Sequence, residues 1–172
     1  NDFEKLYTEE KNFNLLVNPE PTLNINLSNP KKITEWNDEF YRASNNSENF
    51  FYTDTNNIIF KGKKLVSGKI NEKFLFDGSN IILADNKGSL VIYSIEQNEI
   101  IYNFNFYNKK FKKIKKKLNF IVKDKIIYVS DNIGYLYALD YYNKKILWAK
   151  NFKIPFRSNL KITGNKIILA DQ

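Results

Sequence analysis

Ile81-Ile82-Leu83-Ala84-Asp85-Asn86-Lys87-Gly88-Ser89-Leu90 lies without gaps over Ile127-Tyr128-Val129-Ser130-Asp131-Asn132-Ile133-Gly134-Tyr135-Leu136, 46 residues downstream. Each copy is a short apolar run, an Asp-Asn-x-Gly turn and a return into apolar residues. The register holds beyond the copies, with Tyr93 over Leu139, Ile100 over Ile146 and Tyr102 over Trp148. A third copy opens at Ile167-Ile168-Leu169-Ala170-Asp171, 40 residues after Ile127. Periods of about 40–50 residues built from short strands are the signature of propeller blades. The expected fold is therefore all-β, with four-stranded antiparallel blades.

Working outward, the rest of the C-terminal part reads the same way. Phe74 to Phe76, Asn80 to Ala84, Leu90 to Tyr93 and Ile100 to Phe106 make one set of expected strands. Asn119 to Val122, Ile126 to Val129, Tyr135 to Leu139 and Ile146 to Ala149 make the next. β-Branched and aromatic residues dominate them, and the spacing is that of short strands joined by turns. Asp77-Gly78, Asp124-Lys125 and Gly164-Asn165 supply first hairpins, where positive φ costs Gly, Asn and Asp little. Glu96-Gln97-Asn98 and Tyr142-Asn143-Lys144 supply the third turns.

The resulting division is a polar lead-in over 1–57, a strand pair over 58–73, blades over 74–119 and 120–159, and the start of a further blade over 160–172. Ile58-Ile59-Phe60 and Lys64-Leu65-Val66 are the expected pair. The lead-in is largely irregular, rich in Asn-Pro and Ser-Asn turn chemistry. Partial apolar spacing from Asp2 to Leu16 suggests a short helix, and Thr22 to Leu27 alternates as a half-buried strand or extended arm does. Asn1 to Pro21 has neither a signal-peptide nor a transit-peptide pattern, so it reads as the start of a mature or trimmed product.

Composition closes several doors. The 172 residues contain no Cys and no His, which excludes disulfides, zinc-thiolate sites, cysteine nucleophiles and the usual Ser-His triad. No apolar run approaches the roughly 18 residues of a membrane-spanning helix. The net charge of +8 divides unevenly, −5 over residues 1–60 and +13 over 61–172. Of the 27 basic residues all but Arg42 and Arg157 are Lys, which lacks the planar fork of base recognition. A solvated Lys-rich surface, with no nucleic-acid partner, is the expectation. The densest run is Asn108 to Leu118, where Phe111, Ile114 and Leu118 fall at i, i+3 and i+7. It is expected to be a blade connection, its apolar side chains under the sheet and its lysines in water. A basic amphipathic helix on a membrane surface is one alternative, and nucleic-acid contact through aromatic residues beside Lys is another.

At Gly134-Tyr135-Leu136-Tyr137-Ala138-Leu139-Asp140 and Lys145-Ile146-Leu147-Trp148 the sequence resembles the blade of the pyrroloquinoline-quinone (PQQ)-like propellers, with Asn143-Lys144 in place of the usual Thr-Gly. The earlier blade is looser, with Ser94 for the Asp and Tyr102 for the Trp. Lys150 to Ser158 is similar to the inter-blade segment of the BamB-like lipoproteins, the propeller subunit of the outer-membrane β-barrel assembly machinery. That resemblance implies a non-catalytic scaffold on the periplasmic face of the outer membrane. Its implied partners are other subunits of the machinery and unfolded barrel precursors, and its membrane attachment is a lipid anchor outside this chain. Such propellers have about eight blades, so the resemblance implies an incomplete propeller here. The chain then reads as a fragment of a longer protein, or as one that completes its ring by oligomerising. A generic propeller interaction platform is the alternative, and a PQQ-dependent dehydrogenase a more distant one.

The residues singled out follow from this reading. Asp85, Asp131 and Asp171 recur at one blade position and are expected to cap turns by accepting from backbone N–H groups, with Gly88 and Gly134 completing the turns. Asp140 and Trp148 carry the blade motif, Trp148 with Tyr102 packing between neighbouring blades. Arg157, beside Pro155 and Phe156 on an inter-blade loop, offers a fork to a partner or to a turn carboxylate. Arg157 and Phe156 are the expected partner-binding residues. No catalytic, cofactor or metal residues are expected.

Overall fold

The computed structural model describes residues 18–41, 46–52, 61–62, 64–107 and 111–171. The helix expected over 2–16 and the strand expected at 58–60 lie outside these. Among the described residues every regular element is a β-strand. One sheet comprises β1 (Ile70–Phe76), β2 (Asn80–Asp85), β3 (Ser89–Ser94) and β4 (Glu99–Asn105). A second comprises β5 (Leu118–Lys123), β6 (Ile126–Asp131), β7 (Tyr135–Asp140) and β8 (Lys145–Asn151). The pair β9 (Lys161–Thr163) and β10 (Lys166–Ile168) opens a third unit. Both four-stranded sheets are antiparallel meanders in sequence order, and both begin a few residues before the expected boundaries.

The 46-residue repeat is a structural equivalence down to its irregularities. Ile92 pairs with Tyr102 while Tyr93 pairs with Ile100, which leaves Ile101 as a bulge. Ala138 pairs with Trp148 while Leu139 pairs with Ile146, which leaves Leu147 as the same bulge. Such a bulge bends the strand and strengthens its twist, so both blades carry one curvature at one place.

Packing explains why these strands read as nearly continuous apolar runs rather than alternating ones. Ile82, Ala84, Leu90 and Ile92 on one face of the first blade meet Phe120, Val122, Ile127, Val129, Tyr137 and Leu139 on the second. The other face of the second blade presents Ile121, Tyr128 and Leu136 to Phe156, Leu160, Ile162 and Ile167 of the third unit. The other face of the first blade buries Leu83 and Val91 against Val66. Tyr128 and Leu136 are the repeat equivalents of Ile82 and Leu90, while Val129 and Tyr137 are those of Leu83 and Val91. One equivalent face always meets the following unit and the other the preceding one. This is the face-to-face succession of propeller blades.

The strand expected at Lys64 to Val66 is not formed, and of the two readings of Thr22 to Leu27 the half-buried strand is not the one met. Lys64 to Val66 has no strand pairing, because Val66 packs face-on to Leu83 and Val91 instead of joining a sheet edge. Thr22 to Leu27 alternates in sequence, yet Leu23, Ile25 and Leu27 are all exposed. Alternation specifies a strand only where a sheet accepts one face.

Candidate interaction surface

The turn aspartates act as the repeat suggests. Asp131 is fully buried, and its Oδ1 accepts from the N–H groups of Ile133 (2.9 Å), Gly134 (2.8 Å) and Tyr135 (2.8 Å). Its Oδ2 accepts from the Tyr107 hydroxyl on the incoming connection. Burial first, and then the Asp131 charge, push the Tyr107 hydroxyl well above its ordinary range, so it remains a donor. Asp85 accepts from Lys87 (3.0 Å) and Ser89 (2.9 Å) in the same way. Asp171 forms an isolated bridge with Phe156, and the turn it is expected to cap lies outside the described residues. Asp140 closes the third turn, accepting from the backbone and side chain of Asn143 at 2.9 and 2.8 Å. Those two bonds hold its carboxyl below the usual range. Ser94 takes over in the first blade, accepting from the N–H of Gln97 at 3.1 Å.

Gly88 and Gly134 both have positive φ, +89° and +105°. At Gly134 the backbone of Ile154 passes where a side chain would stand, and at Gly88 the ring of Tyr107 does so. The turn is thus also a saddle for the connection between blades. The Asn after each Asp clamps the connection that leads into its own blade. The Lys69 N–H donates to Asn86 Oδ1 (3.2 Å), and the Lys117 N–H donates to Asn132 Oδ1 (2.9 Å). Asn86 and Asn132 stand one repeat apart, in the Asp-Asn-x-Gly turn that the sequence repeats.

Equivalent residues also converge. Lys73, Asn119 and Asn159 hold the same position in three successive units, and they meet: Lys73 Nζ donates to Asn159 Oδ1 at 2.8 Å and to Asn119 Oδ1 at 3.4 Å. Only rotation about a common axis brings one residue per repeat to one point. A stretch of the lead-in crosses this region. Trp36 exchanges backbone hydrogen bonds with Phe76, the Asn37 carbonyl accepts from Val122 N–H (2.8 Å), and Asp38 takes both oxygens to Lys161 Nζ (2.8 Å each). Glu39 pairs with Lys73. The clasp touches each unit in turn, and Trp36, Glu39, Phe40, Lys73 and Phe74 line an open groove of about 530 Å³ beside it. Phe40 and Phe74 are exposed there. Sequence reading missed the clasp, since its partners lie on separate units with no local pattern.

Arg157 and Phe156 part company. Phe156 is buried with Ile121, Leu136 and Leu160, because its apolar ring closes the second blade against the third unit. Arg157 is exposed, held by a backbone bond to the Ala170 carbonyl at 3.3 Å, and its guanidinium meets no carboxylate among the described residues. Of the two expected partner-binding residues, only Arg157 presents its side chain to solvent. Tyr102 packs against the inter-blade core, and Trp148 lies on the equivalent face beside Tyr128, 40% exposed. The basic connection does not take the form of the helical alternative, and it departs from the expected one at two residues. It forms no α-helix over 111–117; Ile114 is exposed while Lys116 is buried, its Nζ donating to the Phe111 carbonyl at 2.5 Å and lying over the Tyr107 ring. Residues 108–110 lie outside the described residues.

No protein-family model matches the chain, and no curated protein matches it. Among solved structures, it is similar to BamB from Moraxella catarrhalis, with 18% identity over 54% of this chain and 26% of that one, at a TM-score of 0.42. The match therefore spans well under half of that protein's length.

Proposed function

We propose that this chain is a non-catalytic binding scaffold of the kind its blade motif resembles. It assists the assembly of outer-membrane β-barrel proteins from the periplasmic side. The observation that carries the reading is how the motif is spent. Gly134, Asp140 and the apolar residues between them serve turns and blade packing. With blade faces covered by neighbouring units, turns, connections and outer strand edges are left as binding surface. Arg157 stands on one such connection. The edge strand β4 carries neither Lys nor Pro, and its four residues Tyr102 to Asn105 beyond the bulge at Ile101 suit addition of an extended segment of an unfolded barrel precursor.

The test is addition of this protein to a barrel precursor diluted from urea, read by light scattering and by cross-linking from a photoreactive residue at Asn103 or Arg157. Suppressed aggregation with cross-links to the precursor is expected, weakened several-fold by Arg157→Glu. Neither suppression nor cross-links would overturn the outer-membrane reading and leave a propeller platform for other partners.

A further inference from the structure

The first strands of the two blades, the connections that lead into them and Asn86 line a second open cavity, of about 400 Å³, whose chemistry the scaffold reading does not use. Its described lining is Lys69, Ile70, Asn71, Lys73 and Asn86 on one side and Lys115 to Leu118 on the other. Five of these residues are lysines, and none is acidic. Lys73 and Lys116 have their ammonium groups committed, to Glu39 and Asn159 and to the Phe111 carbonyl. Lys69, Lys115 and Lys117 are exposed and form no ion pair among the described residues. Their backbones are fixed, because Asn86 N–H donates to the Lys69 carbonyl (2.9 Å) and Lys116 N–H to the Asn86 carbonyl (3.0 Å). Independently, the amide nitrogen of Asn71 is buried in this wall with no hydrogen-bond acceptor among the described residues. A buried donor left unpaired is costly, and the oxygen of an anion is an acceptor of the kind it lacks.

We propose that this inter-blade cavity binds a phosphate-bearing ligand, with Lys69, Lys115 and Lys117 supplying charge and Asn71 a neutral donor. Ammonium groups are compact point charges that suit a multivalent phosphate, whereas no arginine fork lines the cavity to select a planar carboxylate. No aromatic side chain lines it either, so a nucleobase finds no stacking platform. The same chemistry serves a soluble phosphate compound and an anionic phospholipid headgroup.

The full chain is titrated with inorganic pyrophosphate at low ionic strength, followed by calorimetry and by the backbone amide signals of Lys69, Asn71, Lys115 and Lys117. In parallel it is sedimented with phosphatidylcholine vesicles containing phosphatidylglycerol. Saturable pyrophosphate binding localised to these amides is expected. The triple substitution Lys69→Gln, Lys115→Gln, Lys117→Gln should abolish it. Asn71→Ala, which leaves the net charge unchanged, should weaken it about tenfold, the loss of one charge-assisted hydrogen bond. The triple Lys144→Gln, Lys145→Gln, Lys150→Gln removes the same charge elsewhere and should leave binding intact, each variant being checked for native amide dispersion. Pyrophosphate binding alone assigns a soluble ligand; vesicle binding that pyrophosphate displaces assigns a headgroup. Equal losses in both triples with no effect of Asn71→Ala, or retention of an oligonucleotide but not of pyrophosphate, would sink the proposal.

Discussion

At Gly134 two demands fall on one residue, a φ of +105° and the backbone of Ile154 within 3 Å of where a Cβ would stand. Gly164 also has positive φ, but nothing lies within 4 Å of its Cβ position. The two glycines therefore separate conformational cost from close approach. Gly164→Ala is expected to cost about 1 kcal/mol, the ordinary left-handed penalty. Gly134→Ala should cost at least about 3 kcal/mol, since strain and a displaced connection add. Chemical denaturation of both variants checks this, and equal losses would mean that the saddle is not rigid. Among the residues legible beforehand, Asp85 and Asp131 were readable as caps because a turn cap is a local device, recurring at one repeat position. Phe156 was not readable as core, because its neighbours Ile121, Leu136 and Leu160 come from two units.

The clasp over residues 36–39 has no regular structure and little local pattern, yet it contacts both blades and the third unit. Its best-anchored side chain is Asp38, 4% exposed and bound to Lys161 and to the Phe40 N–H (3.0 Å). Removing one partner of a largely buried pair leaves the other desolvated, at about 3 kcal/mol. Asp38→Ala should therefore release the clasp and open the chain between Lys31 and Tyr41 to limited proteolysis, while both blades keep their β-sheet signal. Undiminished protection would show that Trp36 and its bridge to Phe76 hold the segment unaided. The same element scale accounts for the strand that did not form at Thr22 to Leu27. A polar-apolar alternation is necessary for a half-buried strand but gains nothing without a sheet face to cover.

Across the whole molecule, units are joined by apolar faces and by a few polar ties, of which Asp77 with Tyr141 is the clearest, reaching from the first blade to the second. Burial pushes the Asp77 carboxyl up, but hydrogen bonds from the Tyr141 hydroxyl and from Asn80 and Ser79 outweigh it and hold the group below its ordinary value. Burial and the bond to Asp77 push the Tyr141 hydroxyl up, so it stays protonated. A carboxylate whose folded pKa is depressed adds stability that is complete above about pH 4. That stability is lost as pH falls through the folded value. Asp77→Asn should therefore flatten the acid limb of a stability-against-pH curve below about pH 4, with lower stability than the wild type at neutral pH. An unchanged acid limb would show that the tie contributes nothing to blade docking.

The sequence by itself determined the blades. The Asp-Asn-x-Gly turns, the 46-residue offset and the apolar runs are written in short stretches, and turn chemistry and strand propensity act over a few residues. It also carried the common register of Tyr102 and Trp148, on which the structure places the two equivalent bulges. What only the tertiary structure decided are the places where separate units meet. These are the convergence of Lys73, Asn119 and Asn159, the clasp across three units, the burial of Lys116 and the basic cavity between β1 and β5. The physical reason is that a blade-to-blade contact depends on the rotation relating rigid sheets, which is set by the summed packing of whole faces rather than by any local run of residues.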